Sequence, residues 1–141
     1  MDATAPAHPS APPSAAEVRV LVADDEDDIR ALVALAVRKS GCTVVGSVAD
    51  GDAALGLART VLPDLAVLDV SMPGATGLEV CAALRADPAT AGIRILLLSA
   101  GASLEDVAAG LAAGADAYLA KPFQVSGLVH HVHALTARQP A

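Results

Sequence analysis

The stretch Leu65–Asp69 limits the fold of this chain more than any other feature, because it is a short apolar run that ends in a carboxylate. Pro63 and Pro73 stand on either side of it and leave too little room for a long helix. A continuous apolar run of this length is typical of a strand that is buried on both faces in a parallel sheet. Asp69 is then expected at the carboxyl edge of the sheet, where open α/β sheets bind ligands.

Four more apolar segments of similar length alternate with segments of helical periodicity. The predicted strands are 18–23, 43–48, 64–70, 93–98 and 117–120, and each is followed by a predicted helix. Thr76 and Glu79 form a capping box at one helix start, and Gly114 predicts the end of another helix. This alternation predicts one parallel sheet covered by helices on both faces, with every strand carboxyl end at one rim.

Charged or hydroxyl residues stand at the ends of four of these five strands. They are Asp24 and Asp25 after the first, Asp69 after the third, Ser99 after the fourth and Lys121 after the fifth. Taken singly, the acids are explained by helix capping or by solvent exposure, and the lysine by solvation. Because all five are expected at the same rim, we predict instead that they form one site.

Three close carboxylates repel one another, and a divalent cation removes that repulsion. The predicted ligands are all oxygen, which favours Mg²⁺, with Mn²⁺ as a second choice, over zinc. Lys121 and Ser99 add a cation and a hydroxyl that suit phosphoryl oxygens. Asp69 is the natural nucleophile, because carboxylates can accept a phosphoryl group to form an aspartyl phosphate.

Composition narrows the class of protein further. A chain of 141 residues suits a single domain, and the net charge of −7 argues against direct binding to nucleic acid. Cys42 and Cys81 lack metal-binding or redox spacing, so we expect reduced, buried thiols in a cytoplasmic protein. We expect no membrane insertion, a flexible Ala/Pro-rich tail over 1–17, one domain over 18–137 and a short tail over 138–141.

Four sequence motifs resemble, in order, those of the receiver domains of two-component response regulators. They are VLVADDE, LAVLDVSMPGATGLE, ILLLSA and GADAYLAKPF, and the resemblance covers Val18 to about Ala137. It implies a flavodoxin-like (βα)5 fold whose five parallel strands lie in the order 2-1-3-4-5. It also implies a phosphoprotein of a phosphorelay, in which a histidine kinase or a histidine phosphotransfer protein donates the phosphoryl group to Asp69.

The resemblance also assigns roles to the residues around Asp69. Mg²⁺ would be held by Asp24, Asp25, Asp69 and the main-chain carbonyl of Ser71. Within the same family pattern, Ser99 and Lys121 bond the phosphoryl oxygens, Ser99 and Tyr118 form a switch, and the Lys121–Pro122 bond is cis.

The sequence leaves the output of the protein less defined. No DNA-binding or enzymatic domain follows the last helix, so we expect a stand-alone receiver that signals through the fourth helix, fifth strand and fifth helix, or that relays the phosphoryl group. We expect it to catalyse only its own phosphorylation and dephosphorylation. His130 and His133 share a face of the last helix, but no third metal ligand is evident, so this face is interpreted as solvated or partner-contacting. The sequence assigns no role to His131.

Two competing interpretations belong to other classes. A magnesium-dependent phosphatase of the haloacid-dehalogenase type also forms an aspartyl phosphate, but it carries a second acid two residues later, where this chain has Ser71. A receiver-like binding module that is never phosphorylated would usually lack one of the acids or the lysine, and this chain has them all.

Overall fold

Alternate residues of the central strands contact opposite layers of helices. The computed structural model describes residues 18–101 and 103–137, so the two predicted tails, 1–17 and 138–141, lie outside the described residues. Leu65 and Val67 pack in one hydrophobic cluster, while Ala66 and Leu68 pack in the other. All four are fully buried, which confirms that this strand is covered on both faces.

Five strands and five helices alternate along the described chain, as predicted. They are β1 Arg19–Ala23, α1 Asp27–Lys39, β2 Thr43–Val48, α2 Gly51–Val61, β3 Leu65–Asp69, α3 Gly77–Ala86, β4 Arg94–Ser99, α4 Leu104–Ala112, β5 Ala117–Ala120 and α5 Val125–Thr136. The strands form one parallel sheet in the order β2-β1-β3-β4-β5, which confirms the flavodoxin-like fold.

The helices lie in two layers, one on each face of this sheet. Helices α1 and α5 cover one face through side chains such as Val33, Val37 and Leu128. Helices α2 and α3 cover the other face, with Ala58 and Leu84 among their buried residues. Both clusters are almost wholly aliphatic, in keeping with a chain that has one Tyr and one Phe.

Local sequence signals set most helix ends. Thr76 accepts a hydrogen bond from the Glu79 backbone N–H, and the Glu79 side chain accepts one from the Thr76 N–H, which confirms the capping box at α3. Helix α4 ends at Ala112, and Gly114 follows with a φ of 108°, a left-handed conformation that glycine adopts without strain.

Helix α1 begins differently from the prediction that its acids cap it. Glu26 occupies the N-cap position, but its side chain makes no capping hydrogen bond. Asp24 instead accepts a hydrogen bond from the Glu26 backbone N–H at 2.9 Å, one step ahead of the helix. Asp24 and Glu26 therefore belong to the strand rim, whereas Asp27 and Asp28 lie in the first turn of α1, where their charges favour the helix.

Candidate functional site

The ends of β1, β3 and β5 bring two carboxylates and one ammonium into contact. Ala23 pairs with Leu68 across β1 and β3, so the next residues, Asp24 and Asp69, follow each other across the rim. The Lys121 Nζ lies 3.0 Å from Asp24 Oδ2 and 3.3 Å from Asp69 Oδ1. The structure thus brings Asp24, Asp69 and Lys121 together at one rim, as the sequence predicted.

Asp25 joins Asp24 and Asp69 in a cluster of carboxylates. One oxygen from each residue lies within 4.8 Å of the others, and this is the one group of three potential metal-binding acids, cysteines or histidines among residues 18–101 and 103–137. Asp24 is fully buried and Asp69 is 3% exposed, whereas Asp25 is open to solvent. The cluster therefore consists of two buried acids and one acid that faces water.

One buried atom in this cluster lacks a hydrogen bond. Asp24 Oδ2 is inaccessible to solvent and accepts no well-aligned hydrogen bond among the described residues; its partner there is the Lys121 ammonium, 3.0 Å away. A buried carboxylate oxygen left in this way is costly unless a further cation satisfies it. Together with the all-oxygen donor set, this atom shows that the cluster fits a hard divalent cation such as Mg²⁺ or Mn²⁺.

The environment of Asp69 alters its ionisation. Burial and the neighbouring charge of Asp24 raise the pKa of Asp69 to about 6, and they outweigh the opposing effect of Lys121. Burial alone would lower the pKa of Lys121, but the carboxylates of Asp24 and Glu26 beside its ammonium raise it on balance. The site therefore holds a firmly charged lysine next to a carboxylate that is costly to ionise.

The other predicted site residues border this cluster. The Ser71 backbone N–H donates to Asp69 Oδ1 at 3.3 Å. Ser99 Oγ accepts from the Gly101 N–H at 3.0 Å, and the Tyr118 hydroxyl donates to the Gly101 carbonyl at 2.6 Å. The predicted switch pair is thus linked through the backbone of Gly101, and the sequence did not predict this link.

Glu26 is a second site residue that sequence reasoning missed. Lys121 Nζ donates a hydrogen bond to Glu26 Oε1 at 3.2 Å. The one sequence feature that could have identified Glu26 is its position directly after Asp24 and Asp25. The Lys121–Pro122 peptide bond is cis, as the resemblance implied.

The histidines of α5 stand apart from this cluster. His133 Nε2 lies 3.3 Å from the Ser40 carbonyl oxygen, and His131 Nδ1 lies 3.1 Å from that of Gly127. The rings of His130 and His131 meet edge to face, with centroids 6.1 Å apart. In the part of the chain that the structure describes, no third ligand joins them to form a metal site.

Comparison with known proteins decides the family. The family model for the response regulator receiver domain matches residues 20–133. This chain belongs to the receiver family. The receiver is 44% identical over 123 residues to the transcriptional regulatory protein PrrA of Mycobacterium leprae, and 39% identical over 122 residues to the DNA-binding response regulator MtrA of Mycobacterium tuberculosis.

Solved structures give the same family. The receiver matches the chemotaxis response regulator CheY4 of Vibrio cholerae with a TM-score of 0.78 and 33% identity, covering 84% of this chain and 98% of that one. In contrast, the receiver spans about half the length of the curated relatives it matches: 87% of this chain aligns with 52% of PrrA, and 85% with 51% of MtrA. No described helix is long and apolar enough to cross a membrane.

Proposed function

We propose that this receiver accepts a phosphoryl group on Asp69 from the phosphohistidine of a histidine kinase or a histidine phosphotransfer protein, in a reaction that requires Mg²⁺ or Mn²⁺. An Asp69 carboxylate oxygen attacks phosphorus in line with the phosphorus–nitrogen bond. That bond breaks as the new phosphorus–oxygen bond forms, and the leaving imidazole takes up a proton. The product is an aspartyl phosphate.

The residues around Asp69 suit each part of this reaction. Asp24, Asp25, Asp69 and the main-chain carbonyl of Ser71 would hold the cation, which when bound offsets the negative charge that gathers on the transferred group. Lys121 supplies a fixed positive charge for a phosphoryl oxygen, and this is the electrostatic help that phosphoryl transfer needs most.

One observation carries the proposal. Lys121 Nζ lies within hydrogen-bonding or ion-pairing distance of three carboxylates, and among them Asp69 is the buried acid at the end of the central strand β3. Because the Lys121 ammonium already contacts the acceptor carboxylate before the reaction, it will be close to the oxygens of a phosphoryl group bonded to Asp69. This arrangement also argues against a binding module that is never phosphorylated.

The hydroxyl of Ser99 and the ring of Tyr118 would report the modification. Ser99 Oγ is held by Gly101, so a new bond from Ser99 to a phosphoryl oxygen would disturb the loop that also anchors Tyr118. We propose that this change alters the surface of α4, β5 and α5. Leu104 at the start of α4 is 89% exposed and offers an apolar contact on that surface.

The output remains a proposal at this level of detail. We infer that the receiver signals by contact with a protein partner, or passes its phosphoryl group to another histidine, without binding DNA itself and in the cytoplasm. MtrA is a DNA-binding regulator and CheY4 a chemotaxis regulator, and this chain aligns with half of the former and nearly all of the latter. The stand-alone arrangement expected from the sequence stays a prediction.

We also propose that the receiver is not a general phosphatase and acts only on its own aspartyl phosphate. The residue two positions after Asp69 is Ser71, so no second acid is available there to protonate a leaving group. Hydrolysis of p-nitrophenyl phosphate checks this point. The expected rate with Mg²⁺ equals that of buffer, and sustained turnover would favour the phosphatase interpretation.

Intact mass spectrometry tests the phosphorylation itself. The wild type is incubated with Mg²⁺ and either acetyl phosphate or phosphoramidate, beside the Asp69→Ala variant and the control Glu105→Gln, which removes an exposed acid of α4. We expect one added phosphoryl group on the wild type and the control, and none on Asp69→Ala or without the metal ion. Equal labelling of Asp69→Ala, or no labelling of the wild type by either donor, would overturn the proposal.

A further inference from the structure

Lys121 contacts three carboxylates, and one of them, Glu26, is neither the phosphoryl acceptor nor a member of the metal-binding cluster. The Lys121 Nζ lies 3.2 Å from Glu26 Oε1, 3.0 Å from Asp24 Oδ2 and 3.3 Å from Asp69 Oδ1. An ammonium has three N–H donors, and three carboxylates already surround this one. A phosphoryl oxygen can therefore pair fully with Lys121 only if an acid gives up its contact.

Glu26 is the acid whose contact is easiest to lose. The Glu26 side chain of the ion pair is 62% exposed, while that of Lys121 is 12% exposed. Asp24 and Asp69 are fixed in the buried cluster, and Asp25 completes it. Glu26 is the N-cap residue of α1, but its side chain makes no capping hydrogen bond. Among the described residues, Lys121 is therefore the one partner of the Glu26 side chain.

We propose that Glu26 is a positioning residue that holds Lys121 at the mouth of the site before phosphorylation and releases it to the phosphoryl group afterwards. This inference rests on the proposed function of Asp69. Glu26 competes with the phosphoryl oxygens for the same ammonium, and its negative charge repels an anionic donor. It therefore slows phosphorylation and disfavours the phosphorylated state.

The size of the effect follows from its exposure. A single charge near the surface and a few ångströms from the reacting group changes a rate moderately, because water screens it. We expect the Glu26→Gln variant to be phosphorylated by acetyl phosphate about three- to tenfold faster than the wild type at low salt. The difference should shrink at high salt, and the aspartyl phosphate of the variant should last longer.

Asp28 provides a matched control. It is an exposed acid in the first turn of α1, two residues beyond Glu26, and it has no contact with Lys121 among the described residues. Asp28→Asn removes the same charge from nearly the same place. Rates are measured for both variants with Mg²⁺ at concentrations shown to be saturating for each, so that a change in metal affinity does not enter the comparison.

A second measurement reads Lys121 directly. The side-chain amine signal of Lys121 is followed by nuclear magnetic resonance without any phosphoryl donor, and it should move in Glu26→Gln but not in Asp28→Asn. In a Lys121→Met background, Glu26→Gln should change the phosphorylation rate no more than Asp28→Asn does. Both results would show that Glu26 acts through the lysine and not through general repulsion.

The outcomes separate this inference from the proposed function. If the wild type is phosphorylated but Glu26→Gln and Asp28→Asn have equal rates, the positioning role of Glu26 is wrong and the proposed function stands. A slower Glu26→Gln variant would also overturn the inference, because it would mean that Glu26 assists the lysine. If the wild type is not phosphorylated, both fail together.

Discussion

The two ends of the sheet treat charge in opposite ways. At the amino end, the guanidinium of Arg85 on α3 donates to the carbonyl oxygens of Gly114, Ala91 and Ile93 and to Asp116 Oδ2. Asp116 Oδ2 in turn accepts a hydrogen bond from the Ile95 backbone N–H in β4 at 2.8 Å. This cation is surrounded by acceptors and ties α3 to the segments that lead into β4 and β5.

At the carboxyl end, one ammonium contacts three of four neighbouring carboxylates. Lys121 contacts Asp24, Glu26 and Asp69, Asp25 lies beside them, and one oxygen of Asp24 is left without a hydrogen bond. The paired charges at the amino end therefore stabilise the fold. The excess of carboxylates at the carboxyl end costs stability but leaves a site for a cation and a phosphoryl group. Such local imbalance is expected where a fold carries function.

Removing the paired charge of Arg85 at the amino end of the sheet should have the largest effect on stability. The Arg85→Met variant removes all four hydrogen bonds that the guanidinium donates, so we expect the free energy of unfolding to fall by about 2 to 4 kcal/mol. Urea unfolding followed by circular dichroism measures it. The control is Arg59→Met, which removes only a half-exposed ion pair at 4.0 Å and should cost less than about 1 kcal/mol. Equal losses in the two variants would contradict the role given to Arg85.

Relieving the unbalanced end should stabilise the receiver. In the absence of metal ions, we expect Asp69→Asn to raise the free energy of unfolding at pH 7 by about 1 to 3 kcal/mol, because it removes a buried charge next to Asp24. Lys121 keeps two other carboxylate partners in this variant. Urea unfolding again provides the measurement, and a destabilised variant at pH 7 would show that the Lys121 ion pair outweighs the burial of Asp69.

The pH dependence gives the sign of the same effect. The pKa of Asp69 is raised to about 6 in the folded protein, against about 3.9 in an unfolded chain. Between these two pH values the folded protein binds the Asp69 proton more tightly than the unfolded chain does. The stability that comes from this proton is therefore fully present below pH 4 and is lost as the pH rises through 6. The advantage of Asp69→Asn should therefore shrink towards zero at pH 4, and an advantage independent of pH would contradict this cause.

A bound cation should partly restore the balance at the carboxyl end. At ten times its dissociation constant, Mg²⁺ is expected to stabilise the folded protein by about 1.4 kcal/mol. The Asp24→Asn variant, which loses one of the three carboxylates of the cluster, should respond much less to Mg²⁺. Thermal unfolding with and without Mg²⁺ checks both points. An equal response of the variant would place the cation elsewhere.

The smallest effect is expected at Gly110 on α4, between the two ends. A Cβ there would lie 2.8 Å from a ring carbon of Tyr118, whereas a Cβ at Gly127 on α5 would meet nothing within 4 Å. Gly127→Ala should therefore gain up to about 1 kcal/mol from helix propensity, and Gly110→Ala should gain less or lose stability. Tyrosine fluorescence should change only in Gly110→Ala, because Tyr118 is the only tyrosine and the chain has no tryptophan.

The sequence predicted what depends on short-range patterns. The buried run at Leu65–Asp69 and the capping box of Thr76 with Glu79 are local features, and both are confirmed. Because all strands of a parallel sheet end at one rim, the sequence could also assign Asp24, Asp69 and Lys121 to one place.

The sequence could not predict contacts that depend on distant partners. Glu26 was assigned no role in the site, because its partner Lys121 lies 95 residues away. Arg85 looked like an ordinary residue near the end of a helix, and its pairing with Asp116 spans 31 residues. Such pairings follow from the way distant elements pack together, which no local pattern encodes.

The most direct test asks whether Asp69 is the acid that accepts the phosphoryl group. Borohydride reduces an aspartyl phosphate to homoserine and so marks the modified position in peptide mass spectra. After reaction with acetyl phosphate and Mg²⁺, we expect homoserine at position 69 alone. Homoserine at position 24 or 25, or no conversion in a protein that has gained phosphoryl mass, would contradict it.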